Sequence, residues 1–97
     1  MMRYYGHIPA SQKSYVCIHV FNKERPILLV NRSDGSWCFL CGGGHEQAAS
    51  NYRAVGIGHL FARDSSLLAL LDLPAEWEAE RKSVQDEWVR TPAQPAQ

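Results

Sequence analysis

The sequence has no surplus of charge of either sign. Its 97 residues include ten lysines and arginines against ten aspartates and glutamates, so the formal net charge is zero. Proteins that bind nucleic acids need a positive field to displace counterions from phosphates. The balanced charge therefore argues against nucleic-acid binding. With 45% hydrophobic and 21% charged residues, the composition is that of a globular chain and excludes disordered, collagen-like and coiled-coil classes.

The sequence also lacks long hydrophobic runs. No stretch approaches the roughly 20 apolar residues of a membrane-spanning helix, and the first residues, Met1 to His7, contain no apolar segment typical of an export signal. We therefore expect a cytoplasmic protein that does not bind membranes.

Cysteine is sparse, with three residues at positions 17, 38 and 41. An odd number of cysteines in a chain expected to be cytoplasmic excludes a disulfide scaffold and predicts reduced thiols. Core packing, metal binding and redox chemistry remain as roles for them.

The chain is short enough for one domain. Residues 1–13 have no hydrophobic period and are predicted to form an N-terminal arm, residues 14–90 a single domain, and the proline-containing residues 91–97 a disordered tail. A chain of this size builds one core and has little room for a deep catalytic cleft. We therefore expect a protein that is not an enzyme.

Three strands are predicted in the first half of the domain. Tyr15–Phe21 alternates apolar residues in the manner of a strand, and Ile27–Asn31 is a short buried run, so we expect these two segments to pair as a hairpin. Asp34 and Gly35 form a dipeptide typical of tight turns, after which Trp37–Leu40 resumes the extended pattern. The prediction is an antiparallel meander of three or more strands.

The second half of the domain is predicted to be partly helical. Polar residues up to Arg53 indicate a loop or an irregular turn, and apolar spacing then predicts short helices over 57–63 and 65–71, with Asp64 as an N-cap. Residues 75–81 suit either a helix or a strand, with helix or loop after them. The expected fold class is α+β, with the two short helices packed on one face of the sheet.

A cluster of metal-ligand residue types surrounds the third strand. Cys38, Cys41 and His45 have spacings found in zinc sites, and Cys17 and His19 lie in the neighbouring predicted strand. Side chains alternate along a strand, however, so Cys38 and Cys41 would point to opposite faces. Buried core cysteines are the simpler interpretation, so no cofactor is expected, with zinc as the alternative.

Cys41 also has the residue types of a thiol nucleophile around it. His45 or His59 could act as its base, but no third group to orient that base is evident in the sequence. A catalytic role for Cys41 is therefore not predicted.

Two aromatic groups have different expected roles. Trp37 and Phe39 share one strand face and are predicted to pack in the core. Trp77 and Trp88 lie far along the chain and, where exposed, are the kind of residue that anchors protein contacts. For the oligomeric state, the sequence allows both a monomer and a homodimer that pairs sheet edges.

The segment Trp37-Cys38-Phe39-Leu40-Cys41-Gly42-Gly43 resembles small bacterial proteins of a domain-of-unknown-function family called immunity-protein-33-like. The upstream Val30–Ser36 segment and the downstream Leu67–Pro74 and Trp77–Arg81 segments share in this resemblance. Some members are assigned as immunity proteins that neutralise toxins. The resemblance covers residues 16–90 and implies a small α+β domain with a protein-binding role. The matching positions, expected to define the fold, are Arg32, Trp37, Phe39, Gly42 and Arg81. The family usually has two acidic residues after this glycine. This sequence has Gly44-His45-Glu46 there, so only Glu46 matches that pair.

These features together predict a non-enzymatic protein-binding domain. An immunity-type inhibitor is the most concrete version, because occluding a toxin needs surface complementarity and no catalytic group. Candidate partner-binding residues are Trp77, Arg81, Trp88 and Glu46. The alternative is a small zinc-binding or thiol-dependent module that uses Cys38, Cys41 and His45.

Overall fold

A mostly antiparallel sheet forms the body of the protein. The computed structural model describes residues 4–42 and 52–92. The sheet order is β6-β3-β5-β4-β7-β8, and β1 and β2 form a separate two-stranded ribbon. Within the described ranges, the strands in chain order are β1 (Tyr4–Tyr5), β2 (Ile8–Pro9), β3 (Lys13–Cys17), β4 (Leu29–Asn31), β5 (Cys38–Leu40), β6 (Tyr52–Gly56), β7 (Trp77–Glu80) and β8 (Val89–Pro92).

Helical segments connect and cover the strands. They are α1 (Ile18–Phe21), a one-turn 3₁₀ helix (Ser33–Gly35), α2 (Ile57–Arg63) and a longer 3₁₀ helix (Ser65–Leu70). The mixed content confirms the predicted α+β class. No helix in the described part of the chain is long and apolar enough to cross a membrane.

One face of the sheet carries the core. Val16, Phe39, Val30 and Ala79 are neighbours in register across β3, β5, β4 and β7, and each is at most 1% exposed. Paired residues point to the same side of a sheet, so these four side chains form one buried row. The residues that cover this row belong to α2, the longer 3₁₀ helix and the turn after it; they are Ile57, Leu60, Phe61, Leu67, Leu70 and Leu73.

The helix boundaries match the sequence prediction closely. The expected helices over 57–63 and 65–71 are found as α2 and the longer 3₁₀ helix. Asp64 lies between them, and its side chain accepts a hydrogen bond from the Ser66 backbone N–H at 3.0 Å. This contact satisfies a free N–H at the start of the second helix, which is the capping role predicted for Asp64.

The turn before β5 is also as predicted. Asp34 and Gly35 both have positive φ, 56° and 77°, which their residue types tolerate. Arg32 stabilises this turn, because its guanidinium donates hydrogen bonds to the carbonyls of Gly35 at 2.8 Å and Leu73 at 2.7 Å. Its guanidinium lies 4.2 Å from the centroid of the Trp37 ring, which is 4% exposed.

The predicted hairpin of the first two strands is wrong. β5 lies between β3 and β4, pairing parallel with β3 and antiparallel with β4, so the first three sheet strands are not a meander. The strand expected over Tyr15–Phe21 ends at Cys17, where α1 begins. Because a helical turn follows β3 directly, the chain leaves the sheet there and cannot fold straight back along it.

Strands are found within both segments that were expected to lie outside the domain. β1 and β2 lie within the predicted arm, and Ile8 is 3% exposed and belongs to the core. The predicted disordered tail is wrong at Thr91 and Pro92, which belong to β8; residues 93–97 lie outside the described residues.

The second half of the chain contributes more strands than predicted. β6 begins at Tyr52, where a loop was expected to continue to Arg53. Of the two structures left open for residues 75–81, the strand is found as β7, because Trp77–Glu80 pairs on one side with β4 and on the other with β8.

Candidate functional site

Three residues of the types that bind metals meet at one end of β3 and β5. Cys17 is the last residue of β3, and Cys41 follows β5 directly. Because β3 and β5 are parallel neighbours in register, their carboxyl ends lie at the same edge of the sheet. α1 begins after Cys17 and places His19 at the same end. The Sγ atoms of the two cysteines and a ring nitrogen of His19 all lie within 4.8 Å of one another.

This group, called here the Cys17/His19/Cys41 cluster, is largely shielded from solvent. Cys17 is fully buried, Cys41 is 3% exposed, and His19 is half-buried. Cys41 Sγ lies 3.9 Å from His19 Nδ1. Two thiols and an imidazole form a donor set suited to a soft divalent metal ion, whereas the burial of Cys41 restricts the access that a nucleophile needs.

A cationic side chain borders the cluster. The Arg25 guanidinium donates to Cys41 Sγ at 3.7 Å. The chain after α1 folds back so that the Arg25 N–H reaches the His19 carbonyl at 3.3 Å, which keeps Arg25 near the cluster. Arg25 is thus a hydrogen-bond donor to a sulfur that would serve as a metal ligand, the position of an outer-shell partner.

The structure groups the predicted metal candidates differently from the sequence. Of Cys38, Cys41 and His45, Cys41 is in the cluster, Cys38 is half-buried within β5 and is not part of it, and His45 lies outside the described residues. Burial raises the pKa of the Cys38 thiol above its usual value. The grouping of Cys17 with Cys41 could not be predicted from sequence spacing, because this grouping depends on the parallel pairing of β3 and β5.

Tyr52, the register partner of Cys17, lies close to these thiols. Burial raises the pKa of the Tyr52 hydroxyl, and electrostatic interaction with Cys17, Cys38 and Cys41 raises it further.

Arg81, a predicted partner-binding residue, is buried. It is 4% exposed and forms an ion pair with Asp64 at 2.8 Å. It also donates twice to the Ile27 carbonyl and once to the Ser66 hydroxyl, and its guanidinium lies 4.2 Å from the centroid of the Trp88 ring. Arg81 therefore joins β7 to the longer 3₁₀ helix and to the chain before β4, and its guanidinium is held by contacts within the protein.

The same network sets the charge state of Asp64. Burial alone would raise the pKa of this carboxyl, but hydrogen bonds from Ser66 and Arg81 and the charge of Arg81 outweigh that effect and hold the pKa below its usual value. Asp64 is therefore ionised at neutral pH, opposite the buried cation.

The other partner-binding candidates differ in their exposure. Trp77 and Trp88 are half-buried, with Trp88 packed against Arg81, and Glu46 lies outside the described residues. Beside Trp88, Val89 is 63% exposed and begins β8, an edge strand that pairs with β7. The sequence prediction missed this edge, because it placed helix or loop after residue 81.

An open cleft of about 770 Å³ lies at the β7–β8 end of the sheet. Its apolar wall includes Leu28 and Val89. Its exposed charges are Glu80, Lys82, Asp86 and Glu87, so three acidic groups oppose one basic group there. Since Arg81 is neutralised by Asp64, the exposed rim of this cleft, called here the β8 cleft, is acidic.

No protein-family model matches the chain, and no curated protein and no solved structure matches it. The resemblance to immunity-protein-33-like proteins therefore stays a prediction from its motifs.

Proposed function

We propose that this chain is a non-enzymatic protein-binding domain that holds an extended, basic segment of another protein along β8 and in the β8 cleft. The observation that carries the proposal is the edge position of β8. It is the last strand of the sheet, all four of its residues are exposed, and no strand pairs with its outer side among residues 4–42 and 52–92. The N–H and C=O groups along such an edge can accept an added strand.

The side chains that line the β8 cleft favour a particular kind of segment. Within the β8 cleft, Leu28 and Val89 offer an apolar wall for one side chain of the bound segment. Glu80, Asp86 and Glu87 surround it with negative charge against the single positive charge of Lys82. Complementary charge steers association and selects partners, so lysine and arginine flanking an apolar residue fit this surface.

Immunity-type inhibition of a toxin is the most concrete version of this function, and it follows from the resemblance to immunity-protein-33-like proteins. An inhibitor of this kind covers a functional surface of its target and needs no catalytic group of its own. The mixed and locally acidic β8 cleft is compatible with a basic target even though the whole chain has no net charge.

Selection from a displayed library of randomised peptides tests the proposal and requires no identified partner. We expect wild-type protein to enrich peptides with lysine or arginine on both sides of an apolar residue. The double variant Glu80→Lys/Glu87→Lys should bind the selected peptides at least about tenfold more weakly, because two attractive charges become repulsive. Glu24→Lys, an exposed acidic residue that does not line the cleft, is the matched control and should bind like wild type.

Three results would contradict the proposal. One is enrichment of acidic or uncharged peptides, and another is equal binding by the wild type and the double variant. The third is a concentration-dependent dimer by light scattering that Val89→Asp dissociates, because a second copy of the chain would then occupy β8. Circular dichroism of each variant establishes that the fold is retained.

A further inference from the structure

We infer that the Cys17/His19/Cys41 cluster is a binding site for a soft divalent metal ion, with zinc the best fit. This site is separate from β8 and does not depend on the proposed partner binding. Two cysteine sulfurs and one imidazole nitrogen are among the donors that zinc prefers in proteins. Their ligand atoms converge within 4.8 Å although Cys41 lies more than 20 positions from the other two residues in the chain.

The distances are near those of a filled tetrahedral site. Zinc–sulfur bonds of about 2.3 Å and zinc–nitrogen bonds of about 2.0 Å place a sulfur about 3.5 Å from a nitrogen and two sulfurs about 3.8 Å apart. Cys41 Sγ is 3.9 Å from His19 Nδ1, and all three ligand atoms lie within 4.8 Å of one another. Side-chain shifts of no more than about 1 Å would bring the three donors into coordination.

The surroundings fit a dithiolate–metal centre. Deprotonation of Cys17 and Cys41 gives two negative charges, which a divalent ion neutralises. The Arg25 guanidinium, 3.7 Å from Cys41 Sγ, is placed to hold that thiolate from outside the coordination sphere. Residues that hydrogen-bond a ligand in this way orient it and tune metal affinity.

The fold positions the ligands on three different segments. Cys17 ends β3, His19 lies in α1, and Cys41 follows β5. A metal ion there would tie the ends of two parallel strands to the helical turn between them. Three protein donors leave one tetrahedral position for water or another donor, and the burial of both cysteines keeps the sulfurs away from bulk solvent.

Cobalt(II) titration of the reduced, metal-free full-length protein tests the site. We expect one cobalt ion per chain, with the thiolate-to-cobalt charge-transfer band and the intense visible bands of tetrahedral coordination. One equivalent of zinc should displace the cobalt and abolish these bands. Zinc affinity is then measured by competition with a chromophoric chelator.

Two variants and one control locate the ion. Cys41→Ser and His19→Ala should each weaken zinc binding more than about 100-fold, beyond the 10- to 100-fold that loss of an outer-shell partner costs. Cys38→Ser is the matched control, because Cys38 is half-buried in the adjoining strand but outside the cluster, and it should keep wild-type affinity. His19 is half-buried, so His19→Ala keeps the test valid even where Cys41→Ser fails to fold.

Several outcomes would overturn the inference. These are wild-type protein that shows no tetrahedral cobalt spectrum, His19→Ala that binds zinc as tightly as wild type, and Cys38→Ser that loses binding together with the cluster variants. The last result would indicate nonspecific capture of metal by thiols.

Discussion

Removing the negative charge of Asp64 should destabilise the protein, because this carboxylate is the counterion of a buried arginine. The Arg81 side chain is 1% exposed and that of Asp64 is 23% exposed, and their charged atoms are 2.8 Å apart. Asp64→Asn keeps the size of the side chain and an oxygen that can cap the 3₁₀ helix, but it leaves the Arg81 cation without its partner.

Breaking a buried ion pair by removing one partner costs about 3–5 kcal/mol. Two features of this site reduce that loss. Water reaches part of Asp64, and Arg81 keeps its hydrogen bonds to the Ile27 carbonyl and the Ser66 hydroxyl. We therefore expect Asp64→Asn to lower the free energy of unfolding by about 2–3 kcal/mol. Asp64→Ala should cost about 1 kcal/mol more, because the helix cap is lost as well.

Urea unfolding at pH 7, followed by tryptophan fluorescence and circular dichroism, measures both losses. A loss of 2–3 kcal/mol corresponds to a fall of roughly 10–20 °C in Tm for a domain of this size. Asp72→Asn is a suitable control, since Asp72 pairs with Arg90 at an exposed position and its loss should have little effect. A change of less than about 0.5 kcal/mol for Asp64→Asn would refute the assignment of Asp64 as the counterion of a buried cation.

Three further predictions concern the core, a close backbone approach and acid stability. Trp37→Ala should cost about 3–5 kcal/mol in chemical unfolding, because the ring is 4% exposed and stacks on Phe39; a near-neutral change would contradict its core position. Gly58→Ala should lower Tm despite the better helix propensity of alanine, since its Cβ would lie 2.8 Å from the Ala10 Cβ, and Ala10→Gly in the same chain should recover part of the loss. The lowered pKa of Asp64 contributes stability that is fully present above the unfolded-state pKa of about 3.9 and is lost as pH falls through the folded-state value. Unfolding midpoints should therefore drop below about pH 4, and Asp64→Asn should show a smaller drop; an equal drop in both proteins would contradict this linkage.

Local features of the fold could be predicted from the sequence. The Asp34-Gly35 turn, the Asp64 cap and the helix over 57–63 depend on neighbouring residues, and all three are found in the structure. The burial of Trp37 and Phe39 was also predictable, because large aromatics dominate small cores.

Long-range pairing could not be predicted. Nothing local places β5 between β3 and β4, and the helical turn of α1 interrupts an apolar pattern that otherwise continues to Phe21. β6 was missed because it is an edge strand with exposed Arg53 and Ala54 and a weak apolar alternation. β7 has helix-forming residues, and its pairing with β4 overrides that propensity.

The candidate metal site shows the same limit. From their spacing, Cys38, Cys41 and His45 were the predicted candidates for a metal site. Cys17 and His19 were noted only as nearby residues of types that bind metals. The grouping of Cys17 with Cys41 follows from two parallel strands that end at the same sheet edge, a contact between residues 24 positions apart.

Native mass spectrometry of the tagged chain recovered from its own host tests partner binding at β8 most directly. Wild-type protein and the Glu24→Lys control should each carry one stoichiometric additional polypeptide, and the folded Glu80→Lys/Glu87→Lys variant should be recovered without it. Recovery of all three chains in the same state, all bare or all carrying the same polypeptide, would contradict the proposal that the acidic β8 cleft holds the partner.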